Sequence, residues 1–94
     1  MAVSRAERRD ERRERVASRF GEAYADAALD LLELTELAWH DCYGEISPSE
    51  DVVDDILICS RSELAGLIRA ARLAVTDWRD LKLWAETERR GSRR

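Results

Sequence analysis

Glu33 and Glu36 stand three residues apart, and so do Asp51 and Asp54, with Asp55 beside them. On a helix that spacing puts both members of a pair on one face. If the two stretches lie on helices that fold back on each other, four carboxylates come to face one another. Hard oxygen ligands of that kind suit Mg²⁺ or Mn²⁺, ions that bind phosphates. Other chemistry-bearing side chains are sparse. His40 is the sole histidine, in Trp39-His40-Asp41-Cys42. Adjacent helical residues point about 100° apart, so these neighbours cannot converge on one ion from a regular helix. His40 reads instead as a helix-end histidine, favoured by the dipole there. Cys42 and Cys59 would close two antiparallel helices and lie about 16 Å apart along them. A disulfide needs Cα atoms within about 7 Å. Both thiols therefore read as small packing residues. No CxxC, HExxH, GxSxG or glycine-rich phosphate loop occurs.

At the carboxylate pairs the chain resembles the all-α nucleoside triphosphate pyrophosphatases of the MazG type. That family holds Mg²⁺ with ExxE on one helix and ExxD on the next. Glu33-Leu34-Thr35-Glu36 matches the first motif, and Asp51-Val52-Val53-Asp54 matches the second with Asp in first place. The resemblance covers residues 31–58 and implies a Mg²⁺-dependent enzyme with Glu33, Glu36, Asp51 and Asp54 as metal ligands. The downstream Lys or Asn that such sites use for the nucleotide has no clear counterpart here. Acidic doublets at helical spacing are common, and a solvated acidic face is the plainer reading. The chain is expected not to be an enzyme and to need no cofactor.

The carboxylates belong to a larger pattern. Residues 1–20 carry a charge of +3, residues 21–60 carry eleven acids and no Lys or Arg, and residues 61–94 return to +4. An acidic middle of this density could engage and steer a basic protein partner. Small acidic immunity proteins and antitoxins block basic nucleases in this way; the likeness is one of size and charge. Direct nucleic-acid binding is not expected, because the basic N-terminal stretch includes four acids.

The elements that position these residues follow from apolar spacing. Val16, Phe20, Tyr24, Ala27, Leu31, Leu34, Ala38 and Cys42 recur at steps of three or four, which predicts one helix from Val16 to Cys42. Leu29, Leu32, Leu37 and Trp39 fall outside that seam. The apolar surface is thus wider than one contact stripe and calls for two partners, the rest of the chain and another subunit. The opposite face carries Glu22, Asp26, Asp30, Glu33 and Glu36. Gly44 reads as a stop. Ser47-Pro48-Ser49-Glu50 reads as a capping box with Ser47 as cap, opening a short helix to about Ile58. VVDDILIC is β-branched but does not alternate, which favours helix over strand. Ser60-Arg61-Ser62-Glu63 reads as a second capping box. The last seam is Leu64, Ile68, Ala71, Val75, Trp78 and Ala85, widened by Leu67, Ala74, Leu81 and Trp84, to about Arg90.

These elements predict an all-α protein: a three-helix bundle of two long helices and one short, or four helices if the last breaks near Thr76-Asp77. Residues 1–15 are expected to be a charged, solvated helical arm, residues 16–90 the helical domain and residues 91–94 a basic tail. No apolar run is long enough for a membrane span, and no secretory signal is recognisable. The expected location is the cytoplasm, with reduced thiols. The expected function is a protein-protein interaction or regulatory module, self-associating, with an acidic surface and apolar helix faces. Trp39, Trp78 and Trp84 are its candidate interface anchors, with core packing the expected role of at least two.

Overall fold

The computed structural model describes residues 3–91, which form five helices and, among the described residues, no strand. They are α1 (Arg5–Phe20), α2 (Glu22–Tyr43), α3 (Glu50–Ser60), α4 (Leu64–Thr76) and α5 (Trp78–Gly91). The all-α class holds; the three-helix count, and its four-helix variant, do not. Each expected long helix is two helices. The basic-tail residues 92–94 lie outside the described part.

The first break is at Gly21, whose φ of 82° is closed to most residues with a Cβ. Its N–H still bonds the Ala17 carbonyl at 2.8 Å, and α2 begins at the next residue. The chain doubles back there, and α1 lies antiparallel on α2. The apolar steps of three and four run across Gly21 in phase, so periodicity alone gives no sign of the turn. Ser4 caps α1, its Oγ accepting from the Glu7 N–H at 3.1 Å. Residues 5–15, expected as a solvated arm, are the first turns of this helix, and one of them, Arg12, is buried.

The second break is at Asp77, where the four-helix variant put it. Its backbone is extended, and its carboxylate accepts from the N–H groups of Arg79 and Asp80 at 3.1 and 3.4 Å. It therefore caps α5 in the manner typical of an N-terminal Asp.

The turns between differ from the expected boxes. Ser49, not Ser47, caps α3, with its Oγ accepting from the Val52 N–H. Ser47 is left to bond elsewhere. Ser60 ends α3 and donates to the Leu57 carbonyl at 2.6 Å, so the second box does not form. Arg61 and Ser62 both take positive φ. This tight reversal brings α4 so close that a Cβ on Gly66 would collide with the Ser60 carbonyl.

Burial keeps the expected seams at Val16, Phe20 and Ala85 and departs from them along α2 and α4. In α2 the buried stripe is Ala25, Ala28, Leu29, Leu32, Thr35, Glu36 and Trp39. Of the α2 seam residues, Tyr24, Ala27, Leu34 and Cys42 are exposed while Leu31 and Ala38 are half-buried. In α4 and α5 the core is Leu67, Ala70, Ala74, Leu81 and Ala85, whereas Ile68 and Trp78 are exposed. The core is completed by Val16, Phe20, Val53, Ile56, Leu57 and Cys59. Helix α2 packs between α1 and α4, α3 packs on α4 and α5, and α4 also contacts α5.

Candidate functional site

The antiparallel α1–α2 hairpin sets a stripe of arginines against a stripe of acids. Arg9 reaches Asp30 at 2.8 Å and Glu33 at 3.3 Å, and Arg13 reaches Asp26 at 3.1 Å. Arg8 grips Glu36 with two nitrogens, Nε to Oε2 at 2.5 Å and Nη2 to Oε1 at 3.2 Å. Arg12 donates from Nη1 to the same Oε2 at 2.9 Å, and Ser47 Oγ adds a bond at 3.0 Å. The other end of the Arg12 guanidinium reaches Glu50 at 2.7 Å, and Arg15 holds both Glu50 and Asp54. Arg12 is 3% exposed and Glu36 1%. No buried side-chain nitrogen or oxygen among the described residues lacks a partner.

Burial alone would push the Glu36 carboxyl up. Hydrogen bonds from Arg8 and Ser47, with the charges of Arg8 and Arg12, outweigh it and hold the group below the usual carboxylate range. Glu50 behaves alike: burial raises it, and bonds from Arg12 and Arg15 bring it below its ordinary value. Both stay ionised and neutralised by guanidinium.

The proposed metal ligands thus sit in a different chemistry from the one their spacing suggests. Glu36 has both oxygens engaged, Glu33 faces Arg9, Asp54 faces Arg15, and Asp51 lies on an exposed face of α3. Among the described residues no group of three or more His, Cys, Asp or Glu side chains is placed to hold a metal ion. A carboxylate clamped this way becomes a metal ligand or a base only after displacing its arginine. The arginine partners are not among the residues that the acidic spacing singles out. Their signal is the recurrence of Arg5, Arg8, Arg9, Arg12 and Arg13 along one helix, with a glycine between it and the acids.

The remaining reactive groups stay apart. His40 is exposed at the end of α2, where Gly44 closes the helix. Cys42 is an exposed free thiol. Cys59 is a buried one, pushed up to about 12 by burial and by the nearby Glu88 and Asp55 charges, with Arg89 partly offsetting them. Asp55, also buried, pairs with Lys82 at 3.6 Å and Arg89 at 2.9 Å and ties α3 to α5.

The tryptophans divide. Trp39 is 4% exposed and packs on Tyr43, ring centroids 4.3 Å apart. Trp84 is half-buried and donates to Glu88 at 3.2 Å on its own helix. Trp78 is exposed, with the Arg79 guanidinium 5.5 Å from its ring centroid. Trp39 and Trp78 line one cleft; Trp84 is not part of it.

The two apolar seams meet side by side on the surface. Leu31, Leu34 and Ala38 of α2 and Ile68, Ala71 and Val75 of α4 line a groove of about 170 Å³. Leu34 is 61% exposed and Ile68 46%. Thr35 and the exposed Arg72 also line it. No helix among the described residues is long and apolar enough to cross a membrane. No protein family, no curated protein and no solved structure matches the chain.

Proposed function

We propose that the chain is a protein-interaction module that associates with a second copy of itself through the apolar face of α2 and α4. The observation that carries this reading is the exposed pair Leu34 and Ile68 over a groove walled by Leu31, Ala38, Ala71 and Val75. The helices spend separate stripes on the core, so this face is surplus to the fold of one chain. Contiguous exposed apolar surface on a small protein marks an association site.

The make-up of the face supports a second copy as the occupant. Among the described residues lining the groove only Arg72 is charged. A two-fold axis through the groove would lay the Leu34 and Ile68 faces of two copies on each other, the self-complementarity that an isologous interface needs. The acidic stripe nearer α1 has a lesser part, because Arg8, Arg9, Arg12 and Arg13 already supply its cations from within the chain. A basic partner protein would have to displace them.

The test is the solution mass over a range of protein concentrations, for the wild type, Leu34→Glu and Ile68→Glu. A dimeric wild type and monomeric variants with unchanged helical circular dichroism are expected. A wild type that stays monomeric up to high micromolar concentration overturns the reading.

A further inference from the structure

We infer that the cleft between the α2–α3 turn and the start of α5 binds a small organic cation of the alkylammonium class. The inference does not depend on self-association. The cleft has a volume of about 380 Å³, within the range of small-molecule sites, roughly 300–1,000 Å³. Its walls include Trp39, Tyr43 and Trp78, and its polar rim includes Glu45 and Ser49.

The polar groups around it are nearly all committed. Tyr43 donates its hydroxyl to the Ala74 carbonyl at 2.9 Å, so the phenol points into α4 and the ring is left for the cleft. The Ser47 hydroxyl is spent on Glu36 and Arg12, and Ser49 caps α3. Glu45 is different. Its Oε1 accepts the Trp39 indole N–H at 3.1 Å, which fixes the carboxylate against the indole and leaves it carrying the charge of the lining. No basic residue is among the lining side chains. The positive end of α3 nearby is answered by Glu50 and Asp51 in its first turn.

Aromatic faces with one oriented carboxylate make a site for a cation that carries its own apolar coat. Ring quadrupoles attract positive charge, and they do so most for weakly hydrated ammonium groups. An anion would meet Glu45, and a strongly hydrated metal ion would gain little from the rings. The Arg79 guanidinium over Trp78 is an intramolecular instance of the same attraction.

The test is a titration of the full chain with choline, read from the Trp39 and Trp78 indole N–H resonances. The control ligand is the neutral isostere in which carbon replaces the quaternary nitrogen. Choline should give saturable shifts at both indoles, with the isostere weaker by at least about threefold, as a cation–π contribution implies. Glu45→Gln and Trp78→Ala should each weaken choline by at least about threefold, with retained helical circular dichroism showing that both variants fold. Arg79→Ala should bind at least as well as wild type, since the resident cation is gone. Equal binding of the isostere, no saturable shift with choline, or loss of binding in Arg79→Ala overturns the inference.

Discussion

The Arg12 guanidinium lies 2.9 Å from the Glu36 carboxylate inside the protein, joining α1 to α2 across a buried contact. The same guanidinium goes on to Ser47 and Glu50, so one side chain ties α1, α2, the following turn and α3 together. A buried charge is tolerable only when paired, and removing one partner strands the other. Arg12→Ala should therefore destabilise the fold by about 3–5 kcal/mol, lowering the melting temperature by more than about 10 °C. Arg13→Ala, which removes an exposed pair with Asp26, should change stability by no more than about 0.5 kcal/mol. Combining Arg12→Met with Glu36→Leu should recover part of the loss. Equal melting temperatures for Arg12→Ala and Arg13→Ala would mean that the buried pair contributes nothing.

The same network sets a pH dependence. The Glu36 and Glu50 carboxyls are held below their ordinary value in the folded state. The unfolded chain therefore binds their protons more readily than the native one. The contribution is complete above the ordinary glutamate value of about 4.3 and is lost as pH falls through the folded values. The melting temperature should be flat from neutrality to about pH 5 and fall below it. Cys59 acts at the other end. Its thiol is pushed up to about 12, so the native state keeps a proton that the unfolded chain loses, and stability declines above about pH 9. Cys59→Ala should flatten the alkaline limb alone. A profile with no acid limb would contradict the paired carboxylates.

Magnesium gives a separate test. Glu36 is already neutralised by Arg8 and Arg12, so millimolar Mg²⁺ or Mn²⁺ should leave the melting temperature unchanged. A rise of more than about 10 °C, absent in Asp54→Ala, would instead establish the pyrophosphatase-like site, since saturating a ligand 100-fold is worth about 2.7 kcal/mol.

Gly66 tests the packing of α3 on α4. A Cβ there would overlap the Ser60 carbonyl, and backbone on both sides leaves little to yield. Gly66→Ala should cost about 1–3 kcal/mol or more, despite its better helix propensity. Gly91→Ala meets nothing within 4 Å and serves as the neutral control. Chemical denaturation of both variants decides the matter.

The helical class, the Gly44 stop and the break near Thr76-Asp77 were legible in the sequence, because each rests on local chemistry or local periodicity. The turn at Gly21 was not. A lone glycine inside a continuous helical pattern is tolerated in many helices, and what decides its conformation here is pairing between residues far apart, Arg8 with Glu36 and Arg9 with Asp30. The same long-range cause hid the buried stripe. Two apolar stripes of similar strength run along α2, and spacing cannot tell which one meets α4 and the core. Leu34 reads as interior by periodicity and is exposed; Leu32 falls outside the seam and is buried. For the carboxylates, spacing correctly put Glu33 and Glu36 near one face but left out the cations opposite, which come from a segment that composition made look solvated.

The turn at Gly21 also has a consequence for biosynthesis. The arginine helix leaves the ribosome before the acids of α2 and α3 that it pairs with. Arg9 must wait for Asp30, 21 residues later, and Arg15 for Asp54, 39 residues later. Loop entropy separates those two closures by only about 0.5 kcal/mol. The order of pairing on a growing chain is therefore governed by emergence: the hairpin can zip while α3 is still in the exit tunnel, and the nascent α1 spends that interval with a net charge of only +3, its own four acids standing in for the partners still to come.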